Sequence, residues 1–233
     1  VFVHGTFSNP AWWAEMVNTL RGDPILQLKF QFWFFLYNSS APSVASAADL
    51  RDALRNKVAQ LDPEGKDPSL REMVIVGHSQ GGLLTKLTVV DTGDSLVFAL
   101  TGKDLDFLGL PEEKKAEGRQ LLVVEPVPEV KRVIFISTPH RGSILSKGWV
   151  RSLIRKFVTL PARIFDTSLN LSNYYTKDVK RIIGNSVGLT SIDGMSPDSP
   201  ILKTLADTPL APGVVGHSII AVKGDGDPKL GDG

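Results

Sequence analysis

The sequence predicts an α/β domain built on a mostly parallel sheet with helices on both faces. Three observations predict it. Strand-length apolar runs ending in turn residues recur at "VFV", "QFWFFLYN", "MVIVG", "RVIFIS" and "SIIAV". Helical segments separate them, the alternation that crossover connections of a parallel sheet require. One run ends in "GHSQGG", a serine between glycines at a strand-to-helix turn.

Taken in order, Val1 to Val3 leads into His4-Gly5-Thr6, where Gly5 lets the backbone turn sharply. After the aromatic run Gln31 to Asn38 comes the clearest helix, Ala47 to Leu61. Leu50, Leu54, Val58 and Leu61 recur there at helical spacing, Ser46 and Asp49 form a capping box, and Pro63 follows the end. The strand Met73 to Gly77 precedes Ser79, and a helix is expected from about Gly81 through Val90. "RVIFIS" runs into Thr138-Pro139-His140, and "SIIAV" into a Gly/Asp-rich tail.

Two connections exceed a simple crossover, about 91–130 and 143–216, and are expected to be insertions carrying a helical lid or substrate walls. The first is acidic, with Asp104, Asp106, Glu112, Glu113, Glu117, Glu125 and Glu129. The second opens with Lys147, Arg151, Arg155, Lys156 and Arg163 around Trp149, Val150, Leu153, Ile154 and Phe157. Opposite charge would draw the two together. A basic amphipathic helix over 145–165 suits peripheral membrane contact, although a solvated helix face is the plainer reading.

At 233 residues and 42% hydrophobic content, with mean hydropathy near zero, the chain is expected to form one domain over 1–233. A net charge of +1 with no basic tract argues against nucleic acid as a partner. The absence of cysteine excludes disulfides, zinc-thiolate sites and a cysteine nucleophile. No apolar stretch approaches the roughly 20 residues of a membrane helix. Neither a cofactor nor a metal is expected. "GDGDPKLGDG" looks like a calcium loop, but Lys229 stands at the fifth position and the sixth-position glycine is missing. Opening on an apolar strand without initiator methionine, the chain reads as an excised piece, which leaves its compartment open.

A strand, a sharp turn and a helix are the context that G-x-S-x-G chemistry demands. The turn strains the serine backbone and brings chain so close that only small residues fit at Gly77 and Gly81, presenting the Ser79 hydroxyl above the sheet. A non-catalytic glycine-rich turn is the alternative. Acyl transfer also needs donors for a tetrahedral oxyanion, commonly the amide after the nucleophile and one from the loop after an earlier strand. Those are Gln80 N–H and Thr6 N–H.

Four motifs, "VFVHGTFSNPAWW", "VIVGHSQGGLL", "VIFISTPHRGS" and "HSIIAV…GDG", together resemble the α/β-hydrolase superfamily, specifically its bacterial lipase-like and esterase-like serine hydrolases. The resemblance implies the α/β-hydrolase fold and an acyl-enzyme on Ser79. It also implies an acid in the loop after "SIIAV": Asp232, with Asp225 and Asp227 as runners-up. Asp193 and Asp198 come earlier, and Asp198 with Ser199 looks like a cap ahead of Pro200. Relatives have a wall-forming histidine at the position of His140, and His4 is expected to brace the oxyanion loop.

In an open parallel sheet the site lies beyond the carboxyl ends of the strands. His4, Thr6, Ser79, Thr138 and His140 follow their strands. His217 is expected ahead of "SIIAV", about five residues of roughly 3.3 Å, or some 16 Å, from the site. His78 precedes the nucleophile and its side chain is expected to leave in another direction. The family order is serine, acid, histidine, so the base is expected downstream of Gly233 and the domain truncated at both ends. The function expected is that of a lipase- or esterase-like serine hydrolase of carboxylic esters, with Phe7, Trp12 and Trp13 as acyl-pocket candidates that would suit a lipid or hydrophobic ester and serve equally as core. The alternatives are a non-catalytic binding protein on this fold, an acyltransferase or a thioesterase.

Overall fold

The computed structural model describes residues 1–142, 174, 176, 177 and 195–222. In chain order it holds β1 (Phe2–Val3), a 3-10 turn (Pro10–Trp13), α1 (Ala14–Arg21), α2 (Pro24–Lys29), β2 (Phe34–Phe35) and α3 (Ser43–Leu61). There follow β3 (Met73–His78), α4 (Gln80–Lys86), α5 (Ser95–Thr101), α6 (Glu112–Leu122), β4 (Val130–Ile136), α7 (Pro200–Asp207) and β5 (Val215–Ile219). The strands form one sheet, ordered β2-β1-β3-β4-β5, and every pair is parallel.

This order dictates where the helices go. The step from β1 to β2 runs one way along the sheet, and the steps β2 to β3 to β4 run the other. Right-handed crossovers therefore put α1 on one face and α3 and α4 on the opposite face. Side-chain alternation agrees. Val3, Ile75, Val133 and Phe135 pack with Leu50 and Leu54 of α3 and Leu84 of α4, while Phe2 and Val76 pack with Trp13 and Val17. The order reverses between β1 and β3, so the loops leaving them diverge to opposite faces and open a crevice at their carboxyl ends. The fold is an α/β fold on a parallel five-stranded sheet with helices on both faces.

Several boundaries differ from expectation. Helix α3 begins at Ser43 behind Pro42, so Ser46 is a buried residue inside the helix and forms no capping box with Asp49. Proline supplies the start instead: Ala45 and Ser46 amides both donate to the Pro42 carbonyl. Helix α4 stops at Lys86 rather than Val90, because Thr88 and Val89 turn back onto the Thr85 and Lys86 carbonyls. Of "QFWFFLYN" only Phe34–Phe35 pairs with β1. Strand β5 starts three residues early. His217 therefore lies inside it, opposite Ile134, rather than ahead of it. Val215, Gly216 and polar His217 look like a lead-in by composition, yet the ladder with β4 takes them, and the strand ends at Ile219 rather than running to Val222. The Ser199 cap is as expected: its hydroxyl accepts from Leu202 N–H at 3.4 Å, with Pro200 first in α7.

Among the described residues no helix is long and apolar enough to cross a membrane. The 145–165 helix and the lid fall outside the described residues.

Arg51 ties three helices behind the sheet. It is 3% exposed, and its guanidinium donates to the Leu87 carbonyl beyond α4 (3.3 Å) and the Gln120 carbonyl in α6 (2.8 Å). Replacing Arg51 by Leu strands the buried Leu87 carbonyl and the part-buried Gln120 carbonyl and is expected to cost about 2–3 kcal/mol of stability. Urea unfolding checks it; a change under about 0.5 kcal/mol, the range of surface substitutions, contradicts the tie.

Candidate active site

Strain marks the site. Among the described residues three non-glycines have positive φ: Phe7 (54°), Ser79 (52°) and Ser137 (46°). They sit just past β1, β3 and β4 respectively, all at the carboxyl edge. Ser79, with ψ −122°, occupies the sharp turn from β3 into α4. Such a conformation costs about 1–3 kcal/mol and persists only where its surroundings over-determine it. Here Ser79 N–H donates to the Ile136 carbonyl (2.9 Å) and Gly82 N–H to the Ser79 carbonyl (3.0 Å).

Glycines make the turn possible. A Cβ on Gly77 would stand 2.6 Å from the Gly81 carbonyl oxygen, and one on Gly81 would collide with the Val3 and His4 carbonyls. Gly82, which sequence reasoning passed over, is pressed against Thr138 in the same way. The only available signal for it was the doubled glycine in "SQGG". Thr138 itself is buried after β4, at the edge where it was expected.

The loop after β1 lies against the elbow: a Cβ on Gly5 would be 3.0 Å from Ser79 Cβ and 3.1 Å from His78 Nδ1. Its carbonyls and side chains are pinned in turn. Tyr37 hydroxyl donates to the His4 carbonyl at 2.7 Å, the His4 ring stacks on Tyr37 at 4.4 Å, and His4 Nδ1 meets the Gly5 carbonyl at 3.0 Å. Phe7 N–H donates to Ser39 Oγ at 3.1 Å. Thr6 hydroxyl donates to Gln80 Oε1 at 2.7 Å, and Gln80 is fully buried. The sequence motifs single out His4, Gly5, Thr6, His78, Ser79 and Gln80, and the fold brings them together. Tyr37 and Ser39 join them from the loop after β2, where no motif marks them. Burial pushes the Tyr37 phenol well above its ordinary range.

As the first residue of α4, Gln80 has no intrahelical partner for its N–H. The Thr6 amide likewise donates to no acceptor among the described residues. Two free amides beside a strained hydroxyl can hold an oxygen that gains negative charge.

The other sequence-selected residues are placed as follows. Burial lowers the affinity of His78 for a proton, and its ring meets Trp13 edge-on at 6.4 Å. His140 packs edge-on against Phe135 at 4.6 Å, and burial, with Lys86 adding to it, pushes its pKa down to about 4. His217 is exposed and contacts Arg132 on the neighbouring strand. Trp13 is core, whereas Trp12 and Phe7 are 75% and 53% exposed. Asp193, Asp225, Asp227 and Asp232 lie outside the described residues.

No family model matches this chain, and no curated protein matches it. Solved structures do. The chain is similar to the mature lipase BlEst2 of Bacillus licheniformis at 15% identity and a TM-score of 0.47, over 97% of this chain and 67% of that one. It is similar to an acetyl xylan esterase at 19% identity and a TM-score of 0.36, over 62% of this chain and 65% of that one. Similarity to phospholipase PlaB of Legionella pneumophila is at 14% identity and a TM-score of 0.42, over 93% of this chain and 38% of that one.

His140 makes acid stability testable. Its folded pKa, about 4, lies below the roughly 6.5 of an unfolded histidine, so the unfolded chain binds the proton first. The neutral ring's contribution is whole above about pH 6.5 and is lost as pH falls toward 4. His140→Leu is expected to flatten that part of the stability profile in urea unfolding between pH 4 and 7.5. An unchanged slope contradicts the buried neutral ring.

Proposed function

We propose that this chain carries the acyl-transfer centre of a serine hydrolase of carboxylic esters, lipase- or esterase-like, with Ser79 as nucleophile. The observation that best supports the reading is the strained Ser79 in the β1/β3 crevice, against an oxyanion loop whose Thr6 is bonded to Gln80, the residue after the serine. A fold alone does not supply that juxtaposition.

In this reading Ser79 Oγ attacks the ester carbonyl carbon while an imidazole takes its proton, and the carbonyl pair moves onto oxygen. Thr6 and Gln80 amides hold that oxygen. Collapse breaks the carbon–alkoxy bond, the imidazolium protonates the departing alcohol, and water repeats the sequence on the acyl-enzyme. The chain's four histidines have other engagements: His4 with Tyr37, His78 with Trp13, His140 with Phe135, His217 with Arg132. The reading takes the imidazole from a histidine beyond residue 233, oriented by Asp232. Exposed Phe7 and Trp12 near the oxyanion loop suit an apolar acyl group.

In the full-length protein a fluorophosphonate is expected to label Ser79. Ser79→Ala is expected to abolish the label and to slow p-nitrophenyl butyrate hydrolysis by about a thousandfold or more. Equal labelling of the Ala variant removes Ser79 from the chemistry.

A further inference from the structure

The two oxyanion amides belong to segments 74 residues apart in sequence, the loop after β1 and the first residue of α4. A hole made of two such parts works only if their separation is held before the oxyanion forms, since donors must stand about 2.7–3.1 Å from where that oxygen will be. Backbone contact accounts for part of this, through the Val3 and His4 carbonyls against Gly81. It positions residues one to three places away from the amides themselves. One side-chain bond reaches the right residues: Thr6 hydroxyl to Gln80 Oε1, 2.7 Å.

We propose that this bond is a brace that sets the distance between the two oxyanion amides, so that the side chains of Thr6 and Gln80 are positioning groups acting through their own backbone N–H. The inference rests on the hydrolase reading above. The bond's surroundings suit the role. Gln80 is fully buried, so its amide has no water to exchange for the hydroxyl, and its Nε2 end faces Ser43 Oγ on α3 at 3.5 Å. Tyr37 and Ser39 secure the far side of the loop at the His4 carbonyl and the Phe7 amide. With Gln80 Oε1 as acceptor, the Thr6 hydroxyl proton is directed at the brace and away from substrate.

A brace and a direct donor make different predictions in the full-length protein assayed with p-nitrophenyl butyrate. Thr6→Val keeps the branched shape and the amide but removes the hydroxyl. It is expected to lower kcat about tenfold to a hundredfold with KM nearly unchanged, because only the transition state carries the oxyanion. Thr6→Ser, which restores a hydroxyl, is expected to recover kcat to within about threefold. Gln80→Met removes the other end and is expected to match Thr6→Val. The double variant is expected to lose no more than the larger single loss, since one bond can be broken only once. A Gln80→Met enzyme at wild-type kcat beside a slow Thr6→Val enzyme overturns the brace, as do losses that multiply in the double variant or singles within about threefold of wild type. If Gln80→Met does not fold, the Val and Ser variants at Thr6 decide: equal kcat for both overturns it. Ser79→Ala in the same assay separates the two claims, because full activity there sinks the hydrolase reading, whereas lost activity with a neutral Thr6→Val sinks the brace alone.

Discussion

Backbone meets backbone between α4 and the end of β1, where the Val3 and His4 carbonyls press on a Gly81 that has no room for a side chain. Everything at the candidate site depends on that contact. It lets α4 start directly over β1 and forces the chain leaving β3 to turn within one residue, leaving Ser79 at positive φ. The same contact carries the loop His4 to Phe7 across the elbow, so residues distant in sequence meet at one hydroxyl. A methyl group at Gly81 would push α4 away from β1 and part the amides of Thr6 and Gln80.

Holding such a turn requires a rigid floor. Strands β1, β3 and β4 supply it by pairing in parallel from the core to the elbow, and the Ser79 amide continues the ladder by bonding the Ile136 carbonyl. Behind the sheet two buried cations tie helix ends together. Arg51 holds carbonyls at the ends of α4 and α6, and Lys86 donates to Leu205 and, at 3.3 Å, to Ala206 in α7. Burial lowers the proton affinity of Lys86, which Asp207 partly offsets. Its carbonyl partners satisfy an ammonium that burial would otherwise leave short of hydrogen-bond acceptors.

The fold class and the elbow were legible because both are written in short-range pattern: apolar runs that alternate with helices, and glycines two residues either side of a serine. His4, Gly5 and Thr6 were legible through their position after β1. Boundaries were less so. Strand β5 takes in Val215, Gly216 and His217 because a neighbouring strand offers them a ladder, a tertiary fact that composition does not carry. Helix α3 starts at Ser43 because Pro42 offers its carbonyl, where Ser46 and Asp49 looked like the better cap. Tyr37, Ser39 and the side-chain end of Gln80 were illegible for the same reason: each acts on residues at least 32 positions away.

The measurement that bears most directly on the account is a crystal structure of the full-length protein after reaction with a fluorophosphonate. The account predicts phosphorus bonded to Ser79 Oγ and the phosphonyl oxygen within about 2.7–3.1 Å of both the Thr6 and Gln80 amide nitrogens. Phosphorus on another residue, or a phosphonyl oxygen turned away from those two amides, contradicts it.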